Sequence, residues 1–168
     1  TGYHGDFVCC KMTLEHIPDT AAFMSTVRRS IGDRQETVVF FQIPEVRRVL
    51  GECAFWDVYY EHCSYFSKGS LARLFRRTGF DVLKLWTDYD DQYLMIEARP
   101  VDRPTRQPLS EEDDLEQVTQ EVRTFTRPVE GTLSVWKRRM AEAVATGQKV
   151  VLWGGGSKGV AFLTKLGI

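Results

Sequence analysis

Apolar and polar residues follow one another along this chain in short blocks, and the block lengths predict its elements. Phe7-Val8-Cys9-Cys10, with Asp6 ahead of it, predicts a buried strand of the kind found in a parallel sheet covered on both faces. Pro18-Asp19 then opens a helix, with Asp19 or Thr20 as its cap. Phe23, Val27 and Ile31 recur on one face, and Gly32 stands at the stop position. Thr37-Val38-Val39-Phe40-Phe41 predicts a second buried strand, closed by Pro44. Strand, helix, strand in this order is the right-handed parallel crossover unit.

A short helix is expected over 45–50, and an aromatic loop follows. Ser67 caps the next helix, whose apolar face is Leu71, Leu74 and Phe75, and Gly79 ends it. Arg73, Arg76 and Arg77 lie near its C-terminus, where cations oppose the helix dipole. A solvated helix end is the expectation there, against a phosphate-binding patch. Residues 81–86 and 92–98 read as strands. The link Asp88-Tyr89-Asp90-Asp91 is solvated turn chemistry, so short that the pair must be antiparallel. Pro100 to Pro108 is polar and proline-rich and reads as a linker. Ser110-Glu111-Glu112-Asp113 fits a capping box for a long helix. A second helix near Gly131 should turn Leu133, Trp136, Met140 and Val144 inward. Lys149-Val150-Val151-Leu152-Trp153 predicts a strand feeding a glycine run.

Composition narrows the class. The 168 residues are 43% hydrophobic and 27% charged, ordinary for a folded domain, and the net charge of −1 lacks the basic excess of a nucleic-acid binder. No apolar run reaches membrane-spanning length, and no secretory signal is visible. Cys9, Cys10, Cys53 and Cys63 form no C-x-x-C pair, so no metal site is expected from them. Adjacent Cys9 and Cys10 in an apolar run read as buried thiols, and the compartment as reducing and cytoplasmic.

Three stretches carry candidate chemistry. Tyr59-Tyr60-Glu61-His62-Cys63-Ser64-Tyr65 places an imidazole beside a carboxylate, among three phenols. A carboxylate can raise the pKa of such a base and help orient it, and Tyr59 and Tyr65 can donate to a developing oxyanion. The alternative is an aromatic packing loop with a satisfied histidine. Leu14-Glu15-His16-Ile17-Pro18-Asp19 lies past the carboxyl end of the first strand, the edge at which open parallel sheets bind ligands. His16 there is either a ligand contact or a residue that starts the helix. Gly154-Gly155-Gly156-Ser157-Lys158-Gly159 matches G-x-G-x-x-G between a predicted strand and helix. It is either a phosphate cradle or a tight turn, and it is not a Walker loop.

Taken together, residues 6–19 resemble the fourth strand and following turn of class I S-adenosylmethionine-dependent methyltransferases. Gly79-Phe80 and the hairpin after it resemble the end of that fold. Tyr59-x-Glu61-His62-x-x-Tyr65-Phe66-Ser67 and the tail from Val151 to Ile168 are similar to the sugar C-methyltransferases, in which a second α/β domain follows the methyltransferase domain. The resemblance implies an α/β fold: the second half of a Rossmann-like sheet with a terminal antiparallel hairpin over 1–100, a linker over 101–109, and over 110–168 helices and the start of a second α/β domain. It implies methylation at C3 of a nucleotide-linked 4-keto-deoxysugar, with S-adenosyl-L-methionine as cofactor. His62 would be the base, with Glu61, Tyr59 and His16 as further catalytic contacts and Tyr65 as a substrate contact. Gly154, Gly156 and Lys158 would face the nucleotide.

The family's glycine-bearing cofactor loop and its ribose-binding acid are not among these residues, nor is its cysteine-rich zinc segment. Tyr60 stands where many relatives have histidine. The expectation is therefore an internal piece of a longer protein, with Cys10 and Lys11 as the remaining cofactor contacts and an open sheet edge that favours a homodimer. Partners beyond the small-molecule substrate, whether nucleic acid or membrane, are not expected. Other readings stay open at this point: a class I O- or N-methyltransferase, a binding or oligomerisation module built on the helices after Ser110, and a nicotinamide enzyme using the Gly154 turn.

Overall fold

The computed structural model describes residues 5–103 and 105–168. Pro104, within the predicted linker, lies outside them. In chain order the elements are β1 (Phe7–Lys11), α1 (Thr20–Ile31), β2 (Val38–Pro44), α2 (Val46–Gly51), α3 (Lys68–Arg77), β3 (Phe80–Asp88), β4 (Tyr93–Pro100), α4 (Leu115–Thr124), α5 (Thr126–Ala145) and α6 (Ser157–Leu166). They fall into two compact units. The first is Thr1–Val46 with His62–Val118, and the second is Arg47–Glu61 with Thr119–Ile168.

The first unit is a mixed sheet in the order β1-β2-β4-β3. β1 and β2 pair in parallel across α1, as a crossover requires, and β4 runs antiparallel to both β2 and β3. The local signals act as expected. The Asp19 carboxylate accepts from the Ala22 N–H at 2.9 Å, and Gly32 leaves the helix at φ 63°. Ser67 and Ser70 form a reciprocal capping box at the start of α3. Tyr89, Asp90 and Asp91 all turn at positive φ in the β3–β4 hairpin.

One face of the sheet is the core. Val39, Phe41, Leu94, Ile96 and Ala98 are fully buried there beneath Met24 of α1 and Leu71 and Phe75 of α3. The Phe41 ring meets Phe75 edge-on at 5.3 Å, and Phe75 meets Phe80 at 5.6 Å. The other face carries Cys9, Phe40, Glu97 and Lys84 in one cross-strand row. It is only partly covered among the described residues. Phe7, 57% exposed, stacks on Phe40, and Phe40 lies against Trp86.

This corrects two expectations. β1 is a strand but not a buried one, and the Cys9 thiol is exposed while Cys10 is half-buried. The reason is position: β1 is the outer strand of this sheet, and its Phe7-Cys9-Lys11 face has no helix over it among the described residues.

Arg77 of α3 is exposed, as expected of a solvated helix end, but Arg73 and Arg76 are engaged by the segment after β4. Arg76 makes a two-pronged pair with Glu112 at 2.6 and 3.1 Å and donates to the carbonyls of Arg106 and Gln107. Arg73 donates to the Glu112 carbonyl. Glu112 makes the N3 bond of a capping box, accepting from the Leu109 N–H as well as from Arg76, but the box opens a 3-10 turn at Ser110–Glu112 rather than a long helix, and α4 starts later, at Leu115. Gly69 is required where this segment docks. A Cβ there would collide with the Glu112 carbonyl oxygen and the Asp114 carboxylate.

The second unit gathers α2, α5 and α6 with a 3-10 turn at Phe55–Asp57. Phe162 of α6 stacks on Phe55 at 5.7 Å and meets Trp136 of α5 edge-on at 5.2 Å. On α5, Leu133, Trp136 and Met140 are half-buried as expected, but Val144 is 79% exposed and Ala143 takes the buried position instead. Residues 149–153 form no strand. Among the described residues nothing pairs with them, and an unpaired strand leaves its backbone groups unsatisfied.

Candidate functional site

The parallel strands of the first unit end side by side, and two chain segments meet past those ends. A 3-10 turn at Leu14–His16 follows β1, and the loop from His62 precedes α3. The meeting is fixed by backbone. The Glu15 carbonyl accepts from the Cys63 N–H at 2.7 Å and the Ser64 N–H at 3.2 Å. Farther along, Glu45 bridges in parallel to Phe66, and the Val46 N–H donates to the Phe66 carbonyl. Leu14, fully buried, seats the turn in the core; Glu15 after it is buried as well, and His16 is the first residue of the turn to reach solvent.

These bonds bring His16 and His62 together. Their ring centroids lie 5.0 Å apart at 66°, and the Tyr65 ring lies 5.8 Å from that of His62. His62 is 8% exposed, whereas the His16 side chain keeps 41% of its surface in solvent. One imidazole is thus sheltered and the other lies toward water.

The residue that sequence reasoning missed is Glu15. It is 1% exposed, and neither carboxylate oxygen makes a hydrogen bond. Its Oε1 lies 3.9 Å from His16 Nε2. Burial pushes the carboxyl above the ordinary glutamate range, outweighing the nearby backbone amides and His16, which pull it down. Glu15, His16 and His62 each place one ligand-type atom within 4.8 Å of the others. The only signal in the sequence was an acidic residue between a core leucine and a histidine.

The proposed cofactor contacts stand at the end of β1. Burial raises the Cys10 thiol, with Glu15 and Cys9 reinforcing it and the Thr13 hydroxyl opposing, so the group stays neutral. Lys11 is exposed, and Met12 turns the chain off the strand at φ 50°. Successive strand residues point to opposite faces, so Cys10 packs toward the core side while Lys11 lies on the uncovered side of β1.

Tyr59 and Glu61 belong to the second unit, half-buried and exposed respectively. So do Gly154, Gly156 and Lys158. The glycine run is a tight loop: Gly154 turns at φ 99°, Gly156 precedes α6 in an extended conformation, and a Cβ at Gly159 would stand 2.7 Å from the Gly154 carbonyl oxygen. Lys158 Nζ lies 2.7 Å from Oδ1 of buried Asp57, which also faces Arg48 at 3.8 Å. Asp57 is a second buried acid that the sequence pattern did not single out.

Residues 4–85 match a family of methyltransferase domains. The C-methyltransferase NovU of Streptomyces niveus is 28% identical over 162 residues, which cover 91% of this chain and 38% of that relative. The chain therefore spans well under half the length of the curated relative it matches. The strand order and the parallel and antiparallel pairings agree with the second half of a Rossmann-like methyltransferase sheet.

Proposed function

We propose that this chain, which through residues 4–85 belongs to the class I S-adenosylmethionine-dependent methyltransferases, comes from a C-methyltransferase acting on a nucleotide-linked keto-deoxysugar. One observation carries the reading. His62 is a sheltered imidazole held at the carboxyl edge of the parallel strands, against His16 and Tyr65. Carbon methylation differs from O- or N-methylation in needing a base for a carbon acid. The relative's name specifies that chemistry for the relative.

The steps assigned to this chain are proton and contact chemistry. His62 takes the proton from the carbon next to the ketone, becoming imidazolium. Its shelter keeps water from competing for the lone pair. Tyr65 and His16 are contacts to the substrate or to the oxyanion that forms on the ketone oxygen, and Glu61 and Tyr59, which precede His62 in the chain, are assigned as further catalytic contacts. The cofactor, when bound, supplies an electrophilic methyl group. Cys10 and Lys11, at the end of β1, are assigned to it as contacts. Gly154, Gly156 and Lys158 are assigned to the nucleotide. For Lys158 this requires exchanging its Asp57 partner for a phosphate.

The test is His62→Gln in the complete gene product. A positioned general base contributes about 10²–10⁴-fold, so kcat should fall by that factor, and deuterium exchange at the substrate carbon should stop. An enzyme that keeps its rate methylates oxygen or nitrogen, and this reading is then wrong.

A further inference from the structure

We propose that Glu15, His16 and His62 form a binding site for a divalent transition metal of the zinc, cobalt or nickel class, and that an ion there silences the base. The second half rests on the function proposed above, whereas the first half does not. Three observations carry it. Each residue already places a ligand-type atom within 4.8 Å of the other two. The Glu15 carboxylate is 1% exposed with both oxygens lacking a hydrogen bond, a state that costs free energy unless a cation or proton answers it. The backbone bonds from Cys63 and Ser64 to the Glu15 carbonyl hold the two ligand-bearing segments together without using any ligand side chain.

The donor chemistry selects the ion. Two imidazoles and one carboxylate suit borderline metals such as Zn²⁺, Co²⁺ and Ni²⁺, while Mg²⁺ prefers an all-oxygen shell. Ligands about 2.0 Å from a tetrahedral zinc stand about 3.3 Å apart, so modest rotation of the two rings closes the site. Three protein ligands leave the fourth position for water, on the side where His16 meets solvent. Coordination uses the imidazole lone pair that proton abstraction needs, so metal and proton compete for His62.

The experiment titrates Co²⁺ into the 168-residue chain and follows its visible d–d absorption, with Zn²⁺ and Mg²⁺ as competitors. One equivalent of Co²⁺ should bind, be displaced by Zn²⁺ and be indifferent to millimolar Mg²⁺. Glu15→Gln, His16→Ala and His62→Gln should each weaken binding at least about tenfold. His16→Ala alters a side chain that keeps 41% of its surface in solvent, so it keeps the test decisive if Glu15→Gln does not fold. Absence of a stoichiometric site, or a site that survives His62→Gln unchanged, overturns the proposal and leaves the base reading untouched. In the complete enzyme, inhibition by Zn²⁺ that a chelator reverses supports both readings. Loss of activity on chelation, restored by metal, supports the site and overturns the free-base role of His62.

Discussion

The two units of this chain hold themselves together by different means. In the sheet unit, Val39, Phe41, Leu71, Phe75, Phe80, Leu94 and Ile96 retain essentially no exposed surface. In the helical unit, Ala54 and Phe55 are the most deeply buried apolar residues, while Val151 is 83% and Trp153 98% exposed. Charge pairs occur in both units: Arg76 with Glu112 in the sheet unit, and Arg47 with Glu121 and Lys158 and Arg48 with Asp57 in the helical one. A pleated sheet presents a continuous apolar face that α1 and α3 can cover, whereas α5 and α6 meet mainly through one aromatic cluster. The site that needs exact placement, His62 against His16, lies in the unit with the deeper core. A rigid scaffold under a short loop is what holds reacting groups in register.

The contrast can be broken by mutation. Phe75→Ala should have the largest effect, destabilising the sheet unit by about 3–5 kcal/mol in urea unfolding, because a fully buried aromatic leaves a cavity. Arg76→Ala should cost about 3 kcal/mol by the same assay. It strands the Glu112 carboxylate, whose side chain is 6% exposed, without its cation. Phe162→Ala, its counterpart in the helical unit, should cost about 2 kcal/mol, read from hydrogen exchange of the α6 amides. A loss as large as that of Phe75→Ala would erase the contrast.

The smallest effect sharpens the comparison through pH. Burial pushes the Asp81 carboxyl up, but the Thr105 hydroxyl and N–H, the Arg106 N–H and the Arg76 charge outweigh it and hold it below the ordinary range. A carboxyl with a depressed folded pKa stabilises the fold above its unfolded pKa of about 3.9 and loses that contribution as pH falls through the lower folded value. Thr105→Val should therefore lower the urea midpoint at about pH 7, and the difference from the parent protein should shrink as pH falls through the folded value. A difference that persists in acid would mean the threonine acts by packing alone.

How much was legible can be judged residue by residue. Asp19 and Ser67 were readable as caps because capping is a local event, settled within one turn of helix. The parallel crossover followed from strand, helix and strand in that order. Arg76 was not readable, since its partner Glu112 lies in another segment and no spacing rule links them. Val144 and Ala143 exchanged roles because the helical period tolerates either at the end of a long helix, and the neighbours choose.

By itself, then, the sequence determined the local chemistry: the caps at Asp19 and Ser67, the β1-α1-β2 and β3-β4 segments, and that His16 follows a strand's carboxyl end. Tertiary structure decided what those elements face. It left β1 half-exposed at the sheet's edge, left residues 149–153 without a strand partner, and buried Glu15 beside two imidazoles. The physical reason is the range of the forces. Backbone propensity and capping act over a few residues, whereas burial and charge pairing depend on segments such as Glu15 and Cys63, which only the folded chain brings to 2.7 Å.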